Sequence, residues 1–255
     1  MTQQPATAPF RFKLIPLLVV IAMGIGIPFL GAALALLSSN VLHTPGRGPG
    51  ASGFTLGYLY IQHGLQFLLS LIAIWILKRW FLPADYGLHW PKGKTYLVPA
   101  VLWGLFFGVL MTLVDFAPQI AAHTKPDLGY PLTSSNVSGW LLFEWIYVGP
   151  TEEVPFRALL VTYLIATMPG KFRFWRYEMS WAGVLIAVIF ALLHANNFAT
   201  RLWPQALGQQ IYAIALGVLY AYWQEKSRSV VAPSIGHNVG DGVEFAIEYV
   251  WVGLL

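Results

Sequence analysis

The sequence predicts an all-α, polytopic transmembrane bundle of seven spans, or eight if the fourth divides. Composition is the first reason: 57% of the 255 residues are hydrophobic and 10% are charged, with a mean hydropathy of +0.61. A soluble domain carries about 25% charged residues. The second is that apolar runs longer than 18 residues recur along the chain, as bilayer crossing requires. The third is the placement of charge. Of fifteen Lys and Arg, only Arg157 falls inside an apolar run.

The spans are expected at 14–39, 53–77, 95–117, 138–168, 179–198, 205–223 and 229–253. The first is too long an apolar run for a cleavable signal, whose core is about 7–15 residues. Between the first two lies a polar turn segment, His43–Ser52, with Pro45, Gly46, Gly48, Pro49 and Gly50. The fourth contains Gly149-Pro150. Proline suits the first position of a helix and breaks one elsewhere, so a new helical segment is expected to start there. Trp145, Trp181, Trp203, Trp223 and Trp251 lie toward span ends, as an interfacial belt does. No repeat or soluble domain is visible, so residues 1–255 read as one integral membrane domain.

Charge then orients the chain. On one side lie Arg11, Lys13, Lys78, Arg79, Lys92, Lys94, Lys171, Arg173, Arg176, Lys226 and Arg228; on the other, Arg47, Lys125 and Arg201. The positive-inside rule puts the N-terminus in the cytoplasm, of a bacterial cell membrane by this reading, and the C-terminus outside. The acidic residues do the opposite. Glu144, Glu152, Glu153, Asp241, Glu244 and Glu248 sit within spans, and Asp115 ends one. A pI of 9.3 is therefore a topology signal, and no nucleic-acid partner is expected. With no cysteine, disulfides, thiolate metal sites and a cysteine nucleophile are excluded.

Charges at membrane depth cost roughly 2.5–3.5 kcal/mol each on insertion scales, so the internal ones are candidates for function. In Thr151-Glu152-Glu153-Val-Pro-Phe-Arg157, Glu153 and Arg157 are four apart and can pair along one helix face. Glu152 projects about 100° away and is free for other work. The alternative is an ion-pair network with no chemistry. His194, four after Phe190, is a reactive group or a packed, hydrogen-bonded histidine. Asn196 and Asn197 behind it could contact a substrate backbone or satisfy a fraying helix end. His237, Asp241, Glu244 and Glu248 form one helical stripe that must face the bundle interior or a wet cavity. Glu244 and Glu248 read as a hydrated vestibule. Gly236 and Gly240 would let another helix approach closely. His63, beside Gln62 and near Gln66, reads as a packing or hydrogen-bonding residue; His43, His89 and His123 are loop residues.

Glu152-Glu153-Val-Pro-Phe-Arg157, Phe190-Ala-Leu-Leu-His194 and His237-Asn-Val-Gly-Asp241 occur in that order, each in its own apolar span. The set resembles that of the CPBP family of intramembrane proteases, also called the Abi or CAAX-protease family. It covers residues 138–245, the expected catalytic core segment. The resemblance implies an endopeptidase in which Glu152 and His194 polarise a water, Glu153 and Arg157 hold Glu152, and His237 with position 241 stabilises the oxyanion. Asn197 and Asn238 are the candidate substrate-binding residues. The implied partners are membrane lipids and a peptide or lipidated protein substrate.

No cofactor is expected, because the zinc-protease His-Glu-x-x-His pattern is absent, although imidazoles and carboxylates are competent ligands for a divalent ion such as zinc. Asp241 departs from the Asn form of the motif, and an ionised Asp has no N–H for an oxyanion. It is protonated, or orients His237, or belongs to a metal site; the second is preferred. Two other classes compete: a proton- or cation-coupled transporter, and a non-catalytic scaffold or immunity protein. No inverted repeat of the transporter kind is visible.

Overall fold

Each expected span overlaps a helix or a nearly continuous run of helical segments in the computed structural model, which describes residues 10–41 and 56–254. The His43–Ser52 segment lies outside the described residues. Helix α1 is Leu14–Val41, and α2 is Leu56–Ile76, prolonged by a wide π-type turn, Leu77–Phe81. Helix α3, Leu97–Asp115, leads into the short α4, Ala117–Ala122. Then comes one long rod: α5 Ser134–Leu142, α6 Val148–Glu153 and α7 Thr162–Thr167, joined by π-type turns Phe143–Tyr147 and Val154–Val161. A hairpin follows, β1 Lys171–Phe174 with β2 Tyr177–Ser180, where a plain loop was expected. The remaining helices are α8 Trp181–Leu192 with a 3-10 turn Ala195–Ala199, α9 Trp203–Ser227 and α10 Val231–Leu254.

The chain is thus an all-α membrane bundle. Among the described residues four stretches are long and apolar enough to cross a bilayer on their own: Leu14–Ser38, Leu56–Phe81, Leu97–Asp115 and Trp181–Ala199. The α5–α7 rod, α9 and α10 hold most of the internal polar groups and lean on the others. The rod is central. Residues Val154 to Val161 are all buried, as a helix apolar on every side must be. Around it α1 packs on α2, α8 on α9 and α10 on α3.

The last of these contacts is the closest. Gly104 and Gly108 of α3 lie against α10, where an added Cβ would come within 2.8 Å of the Gly236 carbonyl and 2.6 Å of the Gly240 carbonyl. Apolar helices gain little by leaving lipid for one another, so small residues that bring backbones together carry their association. The glycines that allow this approach are those of α3: a Cβ on Gly236 would instead meet Trp223 of α9 (2.9 Å), and one on Gly240 would meet nothing nearer than 3.6 Å.

The basic loops meet at one end of the bundle. Phe10 packs on Trp181, the Val230 N–H donates to the Gly87 carbonyl, and Ser229 Oγ donates to the His89 carbonyl. At the opposite end Lys125 Nζ donates to the Val252 carbonyl and Tyr130 bonds Tyr249.

Replacing Gly108 by Leu forces α3 and α10 apart and should cost about 1–3 kcal/mol, read as a lower unfolding temperature in detergent. Gly26→Ala, whose Cβ meets open space, should leave that temperature unchanged or raise it. Equal unfolding temperatures for Gly108→Leu and the parent would contradict the close approach.

Candidate active site

The helix carrying the acidic pair does not break at Gly149-Pro150; it runs through. Glu152 and Glu153 accordingly lie in mid-rod and not in the first turn of a new segment. Proline at 150 has no N–H, so the carbonyl four residues back, Ile146, loses its helical partner. Asn238 of α10 replaces it. Its Nδ2 donates to the Ile146 carbonyl (3.2 Å), while its Oδ1 accepts from the Gly149 N–H (2.7 Å). Pro155 frees the Thr151 carbonyl in the same way, and there Gln66 Nε2 of α2 donates (3.0 Å). In a bilayer an unmet backbone group must be satisfied by protein, and two side-chain amides do this here. Gly149 is required at its position because a Cβ would run into Asn238 and the Ser234 carbonyl.

These repairs bring α2 and α10 against the rod where Glu152 projects. The Glu152 carboxylate lies between two imidazoles. His237 Nε2 is 3.7 Å from Oε2, and His63 Nδ1 is 3.8 Å from Oε1. His63 also meets Thr151 Oγ1 at 3.4 Å. His237 is held on both sides, with Nδ1 2.8 Å from Glu153 Oε1 and Nε2 3.2 Å from Asp241 Oδ2. Tyr220 stacks on its ring at 5.9 Å.

Glu153 and Arg157 are both wholly buried, with Arg157 Nε 3.1 Å from Glu153 Oε2. The pair is close without being an aligned hydrogen bond, and Nη1 and Nη2 have no hydrogen-bond partner among the described residues. The guanidinium lies instead over the rings of Phe190 (5.0 Å) and Tyr220 (5.8 Å), where the π faces offset part of its desolvation. Glu153 and Arg157 therefore support His237, whereas the resemblance implied that they hold Glu152.

His194 lies in the turn just after α8 and lines the same cavity as Glu152. Its Nδ1 lies 3.2 Å from the Phe190 carbonyl. A carbonyl only accepts, so Nδ1 carries the proton and, in the neutral ring, the lone pair is on Nε2. The cavity, about 270 Å³, is lined by Glu152, His63, His194, Gln66, Phe156 and Phe190, with Pro28 and Phe29 of α1 at its edge. The turn after His194 is anchored by Arg201 Nη1 on Asp115 Oδ2 (2.5 Å), which also accepts from the Tyr212 hydroxyl (3.2 Å).

The structure thus gathers Glu152, Glu153, Arg157, His237 and Asp241 into one contact network, with His194 in the adjoining cavity. It places both expected substrate-binding residues elsewhere in the hydrogen bonding. Asn197 Nδ2 donates to Gln209 Oε1 (2.5 Å), and the Asn238 amide is committed at both ends to the rod. Glu248, expected in a hydrated vestibule, is buried. His63 is the site residue that sequence reasoning set aside; its signal was the polar trio Gln62, His63 and Gln66 in an otherwise apolar span. Among the described residues no three His, Asp or Glu side chains are disposed to hold a metal ion.

The site thus sets one carboxylate between two imidazoles inside a helical membrane bundle. The comparison with known families is narrower. Residues 134–243, somewhat under half the chain, match the family model described as Type II CAAX prenyl endopeptidase Rce1-like. That match is consistent with the CPBP/CAAX-protease family and supports a CAAX-type intramembrane protease at the level of the family. No curated protein and no solved structure matches the chain.

Gln66→Leu should destabilise the protein by about 1–3 kcal/mol, because it leaves a buried carbonyl unpaired. In a Pro155→Ala background the restored N–H can serve Thr151, so the same substitution should cost clearly less. Unfolding of the four proteins in the cycle measures this; strict additivity would show that the amide does not stand in for the missing donor.

Proposed function

We propose that this protein is an intramembrane endopeptidase that cleaves membrane-associated or lipid-modified peptides by direct attack of an activated water. The observation that carries this reading is the Glu152 carboxylate, 3.7 Å from the His237 ring and lining a cavity that His194 also lines.

Glu152 and the Nε2 lone pair of His194 polarise a water in the cavity. The water oxygen bonds to the scissile carbonyl carbon, and its proton moves to Glu152. The carbonyl oxygen becomes an oxyanion beside His237 Nε2, the ring nitrogen on the Glu152 side. As the C–N bond breaks, Glu152 returns the proton to the leaving amine, so water is divided between the two products. Asp241 orients His237 from one side and Glu153 from the other, as carboxylates do for catalytic imidazoles. Arg157 offsets the charge of Glu153 in a place no water reaches.

The gathering of the basic loops at one end supports an N-terminus on the cytoplasmic face of a bacterial membrane. The cavity edge at Pro28 and Phe29 belongs to a lipid-facing helix, where an anchored substrate would approach.

Purified protein and variants would be incubated with a membrane proteome and the new peptide termini mapped. Glu152→Gln should lower their formation by at least about 100-fold, the scale of a lost general base. Asp241→Asn should keep much of the activity, since an amide can still orient His237. Near-total loss in Asp241→Asn, restored by raised zinc, would assign the site to a metal; a phenotype indifferent to Glu152→Gln would assign the protein to a non-catalytic role.

A further inference from the structure

The β1–β2 hairpin takes no part in the site, and its surface has a definite chemistry. Its strands pair Lys171 with Ser180, Phe172 with Met179, Arg173 with Glu178 and Phe174 with Tyr177. Phe174 and Trp175 at the tip are 73% and 74% exposed. The Arg176 guanidinium lies over Trp175 (4.5 Å) and Tyr177 (5.3 Å), tying charge and aromatic faces into one surface. Trp175 has φ +53°, a left-handed backbone uncommon for so bulky a residue.

The hairpin is also fixed in place. The Trp181 N–H donates to the Gly170 carbonyl (3.1 Å), closing its base. Phe172 packs on Trp181 at 4.5 Å, and Ser180 Oγ donates to Glu225 Oε1 (2.5 Å) on α9. Because the rod ends at Thr167 and the Trp181–Ala199 span begins directly after β2, the hairpin stands where the chain leaves and re-enters the bilayer. The acids nearby are engaged: Glu178 pairs with Lys171 (3.0 Å), and Glu225 is bonded to Ser180. Arg173 and Arg176 form no ion pair among the described residues and are exposed.

From this we infer that the hairpin is a docking surface for the anionic phospholipid head groups of the leaflet on the basic side. Trp175 and Phe174 sit at the boundary between head groups and acyl chains, where indole and phenyl rings are favoured. Arg173 and Arg176 reach the phosphates, for which a guanidinium fork is the best-matched donor. A hairpin already held at its base loses little freedom on binding, unlike a flexible basic loop. Charge complementarity selects lipid of negative head group over zwitterionic lipid.

The test uses the full chain in vesicles of phosphatidylcholine containing a minority of phosphatidylglycerol, with bromine on the acyl chains of one lipid or the other. Fluorescence of the parent minus that of Trp175→Phe isolates the Trp175 signal. Brominated phosphatidylglycerol should quench it more strongly than brominated phosphatidylcholine at the same mole fraction. The preference should correspond to roughly fivefold for each arginine at low salt, and it should shrink at high salt. Arg173→Gln with Arg176→Gln should bring the two lipids to parity, while the paired Lys variants keep most of the preference. Equal quenching of the parent by both lipids, no quenching by either, or a preference that survives the Gln pair would each overturn the inference. The parent comparison needs no variant at the arginines, and none of these outcomes depends on proteolysis.

Discussion

Two prolines in the central rod set the terms for the site. Each removes a backbone donor one turn ahead of a carbonyl that cannot reach water, and lipid supplies no substitute. Asn238 from α10 meets the first deficit and Gln66 from α2 the second. Each amide has a histidine nearby in its own helix: His237 is the preceding residue, and His63 lies three residues before Gln66. Satisfying the backbone therefore also sets two imidazoles beside Glu152. Wide turns flank Val148–Glu153 on either side, and within it the helical step between adjacent residues points the acidic pair in two directions.

Those two directions separate two kinds of carboxylate. Glu153 points into the driest part of the bundle, between Arg157 and His237, where breaking any member would leave a buried charge or polar group uncompensated. Glu152 points toward the cavity, its side chain 18% exposed, between two rings at 3.7 and 3.8 Å. The first arrangement is rigid and keeps His237 in one orientation. The second keeps a carboxylate available to small molecules. The proposed hydrolysis would use both, because a group that gives and takes protons must be reachable while its neighbours stay in place.

The bundle's ends are built differently from its middle. At the basic end, Phe10, the segment around Gly87, the hairpin and the turn before α10 are stitched by backbone and ring contacts. At the opposite end, Asp115, Arg201 and Tyr212 secure the turn behind His194. His194, just past the end of α8, is thus steadied from one side by the Arg201 pair with the buried Asp115 and from the other by a hairpin at the start of the preceding helix.

The class of fold was legible in composition and run length, since a bilayer demands long apolar segments whatever their arrangement. The long helices were legible for that reason, four of them apolar enough to cross a bilayer on their own among the described residues, and the acid and imidazoles of the site stood out because charge is rare in apolar runs. Single residues then diverged from the reading. Pro150 reads as a helix start when only local propensity is weighed; an amide from another helix makes it a mid-helix residue. Asn238 reads as a ligand for substrate when adjacency to His237 is the guide, and its partners lie across the bundle. His63 reads as a packing or hydrogen-bonding residue because no carboxylate is near it in sequence; it does meet Thr151, and Glu152 is also near it in space. Sequence by itself determined which groups are costly enough to need a purpose, because that cost belongs to each side chain and the lipid around it. Only the tertiary structure decided which of them meet, because a contact between helices depends on rotation and depth that no run of residues along one helix encodes.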